Sequence, residues 1–325
     1  MGSNFIKHIL QCYPRYHITN LDKLTYAGNR DNLRDIEKQH RHTFIKGDIA
    51  DQKLVEAILK KGIDAIINYA AETHVDKSIR NSKSFLKTEV FGTYSLLEGA
   101  RKYKIKRFIQ ISTDEVYGQI ARGKFTEASP VKPRNPYSAA KAGADLLCEA
   151  YAHTHGVSVI ITRSCNFYGP YHYPEKFIPL AITNLLEGKK ILVYGKGKQR
   201  REWIYAPDHC RVIDLLLHKG SAGEIYNISS GEEIRNIDTA KKIARFFKKD
   251  ASSCIAFVND RAGHDFRYAM TSKKIEKLGF QPAYTFDQGL QETIAWFEQN
   301  KWWWRKIKQS AGFRKYYEKQ YGVYI

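Results

Sequence analysis

The sequence lacks the residues and segments that mark several large classes of protein. It has only five cysteines in 325 residues, without the paired spacing of a zinc site or a disulfide framework. No run approaches the roughly 18 apolar residues of a membrane span, and the first residues form no signal-peptide pattern. We therefore predict a cytoplasmic protein with reduced thiols, no metal site and no membrane partner. The cysteines are Cys12, Cys148, Cys165, Cys210 and Cys254.

Acidic residues are scarce relative to basic ones, and this imbalance limits the possible partners. The chain has 53 Lys and Arg against 34 Asp and Glu, which gives a net charge of +19. Such a charge attracts nucleic acids, acidic membranes or phosphorylated small molecules. The densest basic stretch, 301–319, is interleaved with aromatic residues. It fits either a nucleic-acid surface or a lysine-rich exterior over packed tryptophans. We expect the second, and no nucleic-acid partner.

The apolar pattern alternates between strands and helices, which predicts an α/β fold with a Rossmann-like, doubly wound parallel sheet. Strands are predicted near 16–22, 43–46, 63–69, 108–111 and 157–162, and helices over 31–39, 82–103 and 136–154. At about 150 residues per domain, the length favours two lobes. We expect a larger domain over 1–167 with a return segment near 202–230. A smaller α/β lobe is expected over 168–201 and 231–325.

The most informative stretch, 111–118, places a hydroxyl, two adjacent carboxylates and a phenol directly after an apolar run. That run is typical of a buried parallel strand, and open α/β sheets bind ligands at the carboxyl ends of such strands. Downstream, Tyr137 and Lys141 lie four residues apart in an alanine-rich helix, so they share one face. A cation beside a phenol lowers a pKa that is ordinarily about 10. Together these groups predict proton-transfer chemistry.

These motifs resemble those of the dTDP-glucose 4,6-dehydratase family, in the extended short-chain dehydrogenase/reductase superfamily, over nearly the whole chain. A lone Tyr-x-x-x-Lys is a weak signal. Downstream of Ser-Thr-Asp-Glu-Val-Tyr-Gly it is specific, because sugar-nucleotide epimerases of the superfamily lack the Asp-Glu pair. Further matching segments lie at 22–29, 47–49, 70–76, 168–172, 174–176, 201–203, 261–268 and 302–304.

The resemblance implies NAD-dependent removal of water from a nucleotide-bound hexose, dTDP- or UDP-glucose, to give a 4-keto-6-deoxy sugar. Tyr137, assisted by Lys141, matches the base that takes the proton of the carbon 4 hydroxyl. Glu115 matches the base at carbon 5, Asp114 the acid for the departing hydroxyl of carbon 6, and Thr113 a hydrogen-bond partner of the carbon 4 oxygen. Because ionising two adjacent carboxylates in a closed site is unfavourable, one of them is expected to stay protonated.

By the same resemblance, residues 1–167 form an NAD-binding domain. Asp22 ends a strand where an acidic side chain binds the adenosine ribose hydroxyls and disfavours a 2′-phosphate, so NAD is preferred over NADP. A simple helix cap is the alternative for Asp22. Lys141 is implied to bind the nicotinamide ribose. The other expected cofactor positions are Gly2, Lys23, Thr25, Asp48, Ile49, Ala70, Ala71, Thr88 and Tyr137.

The smaller lobe is implied to hold the nucleotide-sugar substrate. Arg201 and Arg261 suit its diphosphate because a guanidinium binds phosphate oxygens in pairs, although either residue also fits a surface ion pair. Phe167 stands where many relatives carry Asn, so the choice between dTDP and UDP stays open. The remaining expected substrate positions are Thr73, Asn166, Glu175, Lys176, Asn236 and His264.

The sequence departs from the family at its start, where Gly2 matches only the last glycine of a Gly-x-x-Gly-x-x-Gly turn. In the family, that turn follows a central strand and presents a helix N-terminus to a pyrophosphate. We therefore expect an N-terminally truncated sheet with unpaired strand edges at its centre, and weak NAD binding. Three explanations are open: a start codon chosen too late, a truncated and inactive product, or another segment that fills the gap.

Two other functions are open at this point. One is a nucleotide-sugar 4-epimerase or a related extended short-chain enzyme. The other is a catalytically inactive remnant that binds sugar nucleotides or polyanions, which the departure at Gly2 and the net charge favour. The family also implies a homodimer formed through the helices near 82–103 and 136–154.

Overall fold

A computed structural model describes residues 1–260 and 263–322. The strands are β1 (Ile18–Asp22), β2 (His42–Lys46), β3 (Ala65–Asn68), β4 (Arg107–Thr113), β5 (Val159–Ser164), β6 (Asn166–Tyr168), β7 (Ile191–Tyr194), β8 (Arg200–Tyr205), β9 (Ile225–Ile228), β10 (Glu233–Arg235) and β11 (Ile255–Val258). The α-helices are α1 (Gly2–Cys12), α2 (Gln52–Leu59), α3 (Val75–Arg80), α4 (Lys83–Leu86), α5 (Thr93–Lys102), α6 (Pro136–His155), α7 (Phe177–Leu186), α8 (Ala206–Lys219), α9 (Asn236–Phe246), α10 (Ala251–Cys254), α11 (Lys273–Glu276), α12 (Phe286–Gln299), α13 (Lys301–Lys308) and α14 (Ala311–Tyr321). Arg30–Ile36 and Asp114–Tyr117 form 3₁₀ turns, and Lys87–Gly92 forms a π-helical turn. In the described part of the chain, no helix is long and apolar enough to cross a membrane.

A parallel sheet in the order β3–β4–β5–β9 lies at the centre of the larger part of the fold. Strand β4 is buried from Phe108 to Thr113, as expected for a strand that is covered on both faces. Phe108 packs with α2, α5 and α6. Ile109 and Ile111, which point to the opposite face, pack with α1 and α8. Helices thus cover both faces, as the predicted doubly wound arrangement requires.

Strands β1 and β2 pair in parallel as a separate sheet. Among residues 1–260 and 263–322, no strand other than β2 pairs with β1, and none other than β4 pairs with β3. The prediction of unpaired edges at the centre of the fold is therefore confirmed. Residues of both strands line one continuous cavity, which separates the two sheets and reaches Asp22 and Asn68 at the carboxyl ends of the strands.

The smaller part of the fold has its own sheets and its own core. Strands β10, β8 and β6 form one sheet, and β11 pairs with β7 in another. The core includes Tyr168, Trp303 and Trp304, and both tryptophans are fully buried. Trp302 is half exposed, with the Arg34 guanidinium over its ring. The basic and aromatic stretch near the end of the chain thus packs tryptophans inward beneath charged residues, as we expected.

Two helix predictions are wrong in detail. The segment predicted as a helix over 31–39 is a 3₁₀ turn that ends at Ile36. The helix predicted over 82–103 is divided into α4, the π-helical turn and α5. A π-helical turn follows i→i+5 hydrogen bonds and is frequent at functional sites. Here it contains Glu89, whose side chain is fully buried.

Helix α6 carries two predicted catalytic residues, and its position is fixed near both ends. At its start, the Asn135 side chain accepts the N–H of Ser138, and the Ser138 hydroxyl accepts the N–H of Asn135, which forms a capping box. Farther along, Asp145 pairs at 2.9 Å with Arg163 of β5, and both side chains are buried. Because Lys141 lies one turn before Asp145, this ion pair holds the catalytic face of α6 against the sheet.

Replacing Asp145 should destabilise the fold strongly. Asp145→Ala should lower the free energy of unfolding by about 3–5 kcal/mol, because it leaves the buried Arg163 charge without this partner. Urea unfolding followed by circular dichroism measures the change. Asp64→Ala is the matched control, since the ion pair of Asp64 with Lys106 is equally short (2.7 Å) but exposed, where such pairs contribute little. Equal losses in the two variants would contradict the prediction.

Candidate active site

A cavity of about 1580 Å³ contains the predicted site residues. It is lined by the carboxyl ends of β1, β3 and β4, and by residues of the smaller part of the fold such as Arg201 and Asn236. Every site residue predicted from the sequence lines this cavity except Arg261, which lies outside the described residues. The fold thus brings together residues that lie up to 262 positions apart, from Gly2 to His264.

The carboxyl end of β4 forms one wall of the cavity. The strand ends at Thr113, whose hydroxyl accepts the N–H of Glu115 at 3.3 Å and donates to Asp114 at 3.1 Å. Thr113 also lies near the Tyr137 phenol and lowers its pKa slightly, against the larger effect of burial. The 3₁₀ turn after β4 therefore holds Asp114 and Glu115 close to the Thr113 hydroxyl. Helix α6 brings the Tyr137 phenol to the same part of the cavity.

Asp114 and Glu115 occupy different environments although they are adjacent. Burial raises the pKa of the Asp114 carboxyl to about 8, and the neighbouring Glu115 charge adds to the rise, against a smaller opposing effect of Arg201. At neutral pH Asp114 is therefore protonated and has a proton to give. The Glu115 carboxylate accepts a hydrogen bond from the Asn135 amide at 3.1 Å and one from Tyr268 at 3.4 Å.

The expected effect of Lys141 on Tyr137 is not found in this structure. Burial raises the pKa of the Tyr137 phenol well above its ordinary value, and the Glu115 and Glu89 charges add to this rise. Lys141 instead pairs with Glu89 at 2.8 Å and donates to the Ile111 carbonyl at 3.0 Å. The prediction of a lowered phenol pKa is therefore wrong in this structure, because burial of the phenol raises its pKa and the nearby Glu115 and Glu89 charges act in the same direction.

Three contributors to the site were missed in the sequence. Asn135 directly precedes a helix-starting proline, so its capping role was recognisable, whereas its contact with Glu115 depends on the fold. Tyr268 donates to Asp265 at 2.7 Å and stacks under the Arg201 guanidinium, 4.4 Å from the ring centre. Nothing in the sequence indicated that Glu89 is buried in the site, because an acidic residue within a helix usually faces solvent.

Five of the residues expected to bind the cofactor lie at or just after the carboxyl ends of β1 and β2, and the others lie on α1, after β3, in the π-helical turn and on α6. One carboxylate oxygen of Asp22 accepts the N–H of Leu24 at 2.7 Å, so Asp22 stabilises a turn rather than capping a helix. A Cβ at Gly28 would lie 2.5 Å from the Leu24 backbone, so only glycine fits this turn. Lys23 pairs with Asp48 at 2.8 Å.

The residues expected to bind the substrate line the opposite wall. Glu175 is buried and pairs with Lys77 at 2.9 Å, and the Lys176 ammonium donates to the Thr73 carbonyl at 2.5 Å. Arg201 is also buried, and its guanidinium donates to the Asp265 carbonyl at 2.8 Å. The alternative of a surface salt-bridge arginine is therefore wrong for Arg201, and its binding of a diphosphate stays a prediction.

Comparison with known proteins identifies the family. The family model for GDP-mannose 4,6 dehydratase matches residues 1–293. A dTDP-glucose 4,6-dehydratase from Streptomyces niveus is 48% identical over 319 residues, which cover 95% of this chain and 93% of the relative. The chain belongs to the dTDP-glucose 4,6-dehydratase family. A second member, from Xanthomonas campestris pv. campestris, is 44% identical over 93% of this chain and 92% of its own length.

Solved structures of the family agree with the fold described above. A dTDP-glucose 4,6-dehydratase from Streptomyces venezuelae, crystallised with NAD and TYD bound, superposes with a TM-score of 0.92 at 45% identity, over 94% of this chain and 96% of that chain. UDP-glucose 4-epimerase from Thermotoga maritima has a TM-score of 0.86 at 24% identity, over 92% and 96% of the two chains. This more distant likeness shows only the shared fold.

The raised pKa of Asp114 predicts a pH dependence of stability. Between about pH 4 and about pH 8 the folded chain holds a proton on Asp114 that the unfolded chain releases, so stability should fall as pH rises through this window. Titration of Asp114 contributes at most about 1.4 kcal/mol per pH unit to the slope of the free energy of unfolding against pH. Asp114→Asn should remove that contribution, and urea unfolding at a series of pH values measures it. The surface variant Asp64→Asn should keep the slope of the parent chain, and an unchanged slope in Asp114→Asn would refute the assignment.

Proposed function

We propose that this chain is an NAD-dependent dTDP-glucose 4,6-dehydratase, which removes water from the sugar to give the 4-keto-6-deoxy product. The observation that carries the proposal is the pair of carboxyls at the end of β4. Asp114 is held protonated by burial, with a pKa of about 8, next to Glu115, which Asn135 and Tyr268 orient. One acid and one base side by side are what an elimination of water requires.

The side chains divide the proton transfers of the reaction among them. NAD, when bound, would take up the hydride from carbon 4 and return it to carbon 6, so that the cofactor is regenerated. Tyr137 takes the proton of the carbon 4 hydroxyl, which Thr113 orients. Tyr137 acts as the phenolate, so binding of NAD and substrate must lower the phenol pKa from the raised value described above. The resulting ketone acidifies the carbon 5 proton, and Glu115 removes it. Asp114 gives its proton to the carbon 6 hydroxyl, which departs as water. Glu115 then returns a proton to carbon 5, which completes the saturated 6-deoxy product.

The cavity has the features that NAD binding needs. The N-terminus of α1, from Gly2, lines the cavity without a side-chain cap, so its backbone N–H groups suit a pyrophosphate. Asp22 at the end of β1 suits the ribose hydroxyls. We propose that the other predicted cofactor residues contact NAD from the same walls. Weak NAD binding stays a prediction.

Two buried polar atoms support a substrate site on the wall formed by the smaller lobe. Asn236 Oδ1 and Trp203 Nε1 have no hydrogen-bond partner within the described residues, and both residues line the cavity. Since an unpaired buried polar group is costly, these atoms suit ligand contacts. We propose dTDP in preference to UDP because the relatives of high identity are named for dTDP-glucose. The substrate positions predicted from the sequence, Arg261 included, are part of this proposal.

Two variants separate the acid from the base. The chain is incubated with NAD and dTDP-glucose in deuterated water, and nuclear magnetic resonance follows both the 4-keto product and exchange of the carbon 5 proton. Glu115→Gln should slow dehydration by roughly 10²–10⁴-fold and abolish exchange. Asp114→Asn should slow dehydration to a similar degree but retain exchange, because Glu115 still removes the carbon 5 proton.

The controls of this experiment test the rival functions. Glu56→Gln, a surface carboxylate on α2 paired with Lys102, should leave turnover unchanged. Faster turnover of UDP-glucose than of dTDP-glucose would refute the nucleotide assignment. Formation of the 4-epimer without loss of water would establish an epimerase. Absence of turnover, together with salt-sensitive retention on nucleic acid, would favour the inactive remnant.

We infer that two copies of the chain associate through the helices over 82–103 and 136–154. Large apolar side chains are exposed along this surface, including Leu86, Phe91 and Leu146, which are 48%, 62% and 56% exposed. Side chains of this size at neighbouring positions form the kind of apolar patch that marks an interface.

We also propose the domain division at 167–168, with the return segment near 202–230, and a cytoplasmic location.

A charge placed on this surface should separate the copies. Phe91→Glu should convert a dimer into a monomer, because a carboxylate buried without a partner at an interface is strongly unfavourable. Sedimentation velocity measures the change. Phe257→Glu is the matched control, since Phe257 is 53% exposed on β11 and should leave the dimer intact. A monomeric parent chain, or a dimer that persists in Phe91→Glu, would rule out this interface.

A further inference from the structure

A cluster of metal-ligating side chains lies where α1 packs against α8. His8 and Cys12 are one turn apart on α1, and Asp214 lies opposite them on α8. Residues four apart share one face of a helix, so the thiol and the imidazole point the same way. Within the part of the chain that the structure describes, these three residues do not line the catalytic cavity. His8 and Cys12 lie in the second half of α1, whose first residue is roughly 15 Å from Cys12 along the helix axis.

The ligand atoms of this cluster are already close together. One atom from each of His8, Cys12 and Asp214 lies within 4.8 Å of the others. His8 Nε2 is 2.8 Å from Asp214 Oδ2, and Cys12 Sγ is 3.9 Å from the same ring nitrogen. Bonds of about 2.0–2.3 Å in a tetrahedral zinc site place ligand atoms roughly 3.3–3.8 Å apart. Binding a metal thus requires only small side-chain movements.

Neighbouring side chains orient the Asp214 carboxylate through the oxygen that faces away from His8. Its Oδ1 accepts a hydrogen bond from the Tyr13 hydroxyl at 2.8 Å and lies 3.0 Å from His218 Nδ1. The other nitrogen of His218 contacts the Tyr16 hydroxyl at 2.9 Å, and the Tyr13 ring stacks against both the Tyr16 and the His218 rings. This arrangement leaves Oδ2 directed at His8 and Cys12. Outer-shell hydrogen bonds of this kind orient the ligands of metal sites.

We propose that His8, Cys12 and Asp214 bind one Zn²⁺ ion, with water as the fourth ligand. A set of one sulfur, one nitrogen and one oxygen favours zinc over Mg²⁺ and Ca²⁺, which require oxygen ligands. On binding, the Cys12 thiol releases its proton to solvent and no electron is transferred. The ion joins α1 to α8 by bonds that the apolar packing of Phe5 and Ile9 lacks, so it stabilises the helix whose N-terminus lines the cavity.

Cobalt reports on the site directly. The tag-free full-length chain is titrated with Co²⁺ and then with Zn²⁺ as competitor. We expect one equivalent of Co²⁺, a thiolate-to-cobalt charge-transfer band and the intense visible bands of a four-coordinate ion, all removed by Zn²⁺. Cys12→Ser should abolish the charge-transfer band, and both Cys12→Ser and His8→Gln should weaken Zn²⁺ binding by about 100-fold or more. Tyr13→Phe should keep the band and weaken binding by roughly 10-fold or more, as for loss of an outer-shell partner.

Cys254→Ser is the matched control, because Cys254 is a free cysteine elsewhere in the fold. It should keep both the band and the affinity of the parent chain. Zinc should also raise the melting temperature of the parent chain and of Cys254→Ser, but not that of Cys12→Ser. The proposal is refuted if the parent chain shows no charge-transfer band, if Cys12→Ser binds zinc as tightly as the parent, or if Cys254→Ser loses the band. None of these readouts depends on dehydratase activity.

Discussion

Desolvation at the carboxyl end of β4 is the constraint on which the site depends. A parallel strand covered on both faces ends in Thr113, and the next residue is still inside the protein. A carboxyl there cannot ionise cheaply, so Asp114 keeps its proton at neutral pH. Burial at the end of β4 therefore produces the protonated carboxyl that we propose as the acid of the reaction.

The groups that end secondary structure also support the chemistry. The Asn135 side chain uses its oxygen to cap α6 and its nitrogen to hold Glu115. Thr113 caps the 3₁₀ turn and contacts both Asp114 and Tyr137. Asn135 and Thr113 each bind backbone N–H groups as well as side chains of the site. The positions of Asp114, Glu115 and Tyr137 therefore depend on the local backbone structure.

Much of the fold and the site followed from sequence, since strand ends and helical spacing are local. The 3.6-residue repeat places Tyr137 and Lys141 on one face, and the apolar run before Ser112 identifies the central strand. What could not be predicted depends on contacts between distant segments. Glu89, which pairs with Lys141 and helps to raise the pKa of Tyr137, lies 52 positions before Lys141. Cysteine spacing along the chain likewise could not indicate the proposed zinc ligands, because they come from two helices that meet only in the fold.

The π-helical turn at Lys87–Gly92 determines how α4 is rotated about the helix axis relative to α5. Each residue of an α-helix turns the chain by about 100°. The π turn accommodates one extra residue, so regular α-helical winding of the same residues would rotate α4 by roughly that angle relative to α5. Glu89 would then leave Lys141, and the exposed apolar side of α4 would face a different direction. The π-helical turn therefore fixes the directions of both the buried Glu89 carboxylate and the exposed apolar side of α4. A change in winding at this turn would move both together, even if every residue type were kept.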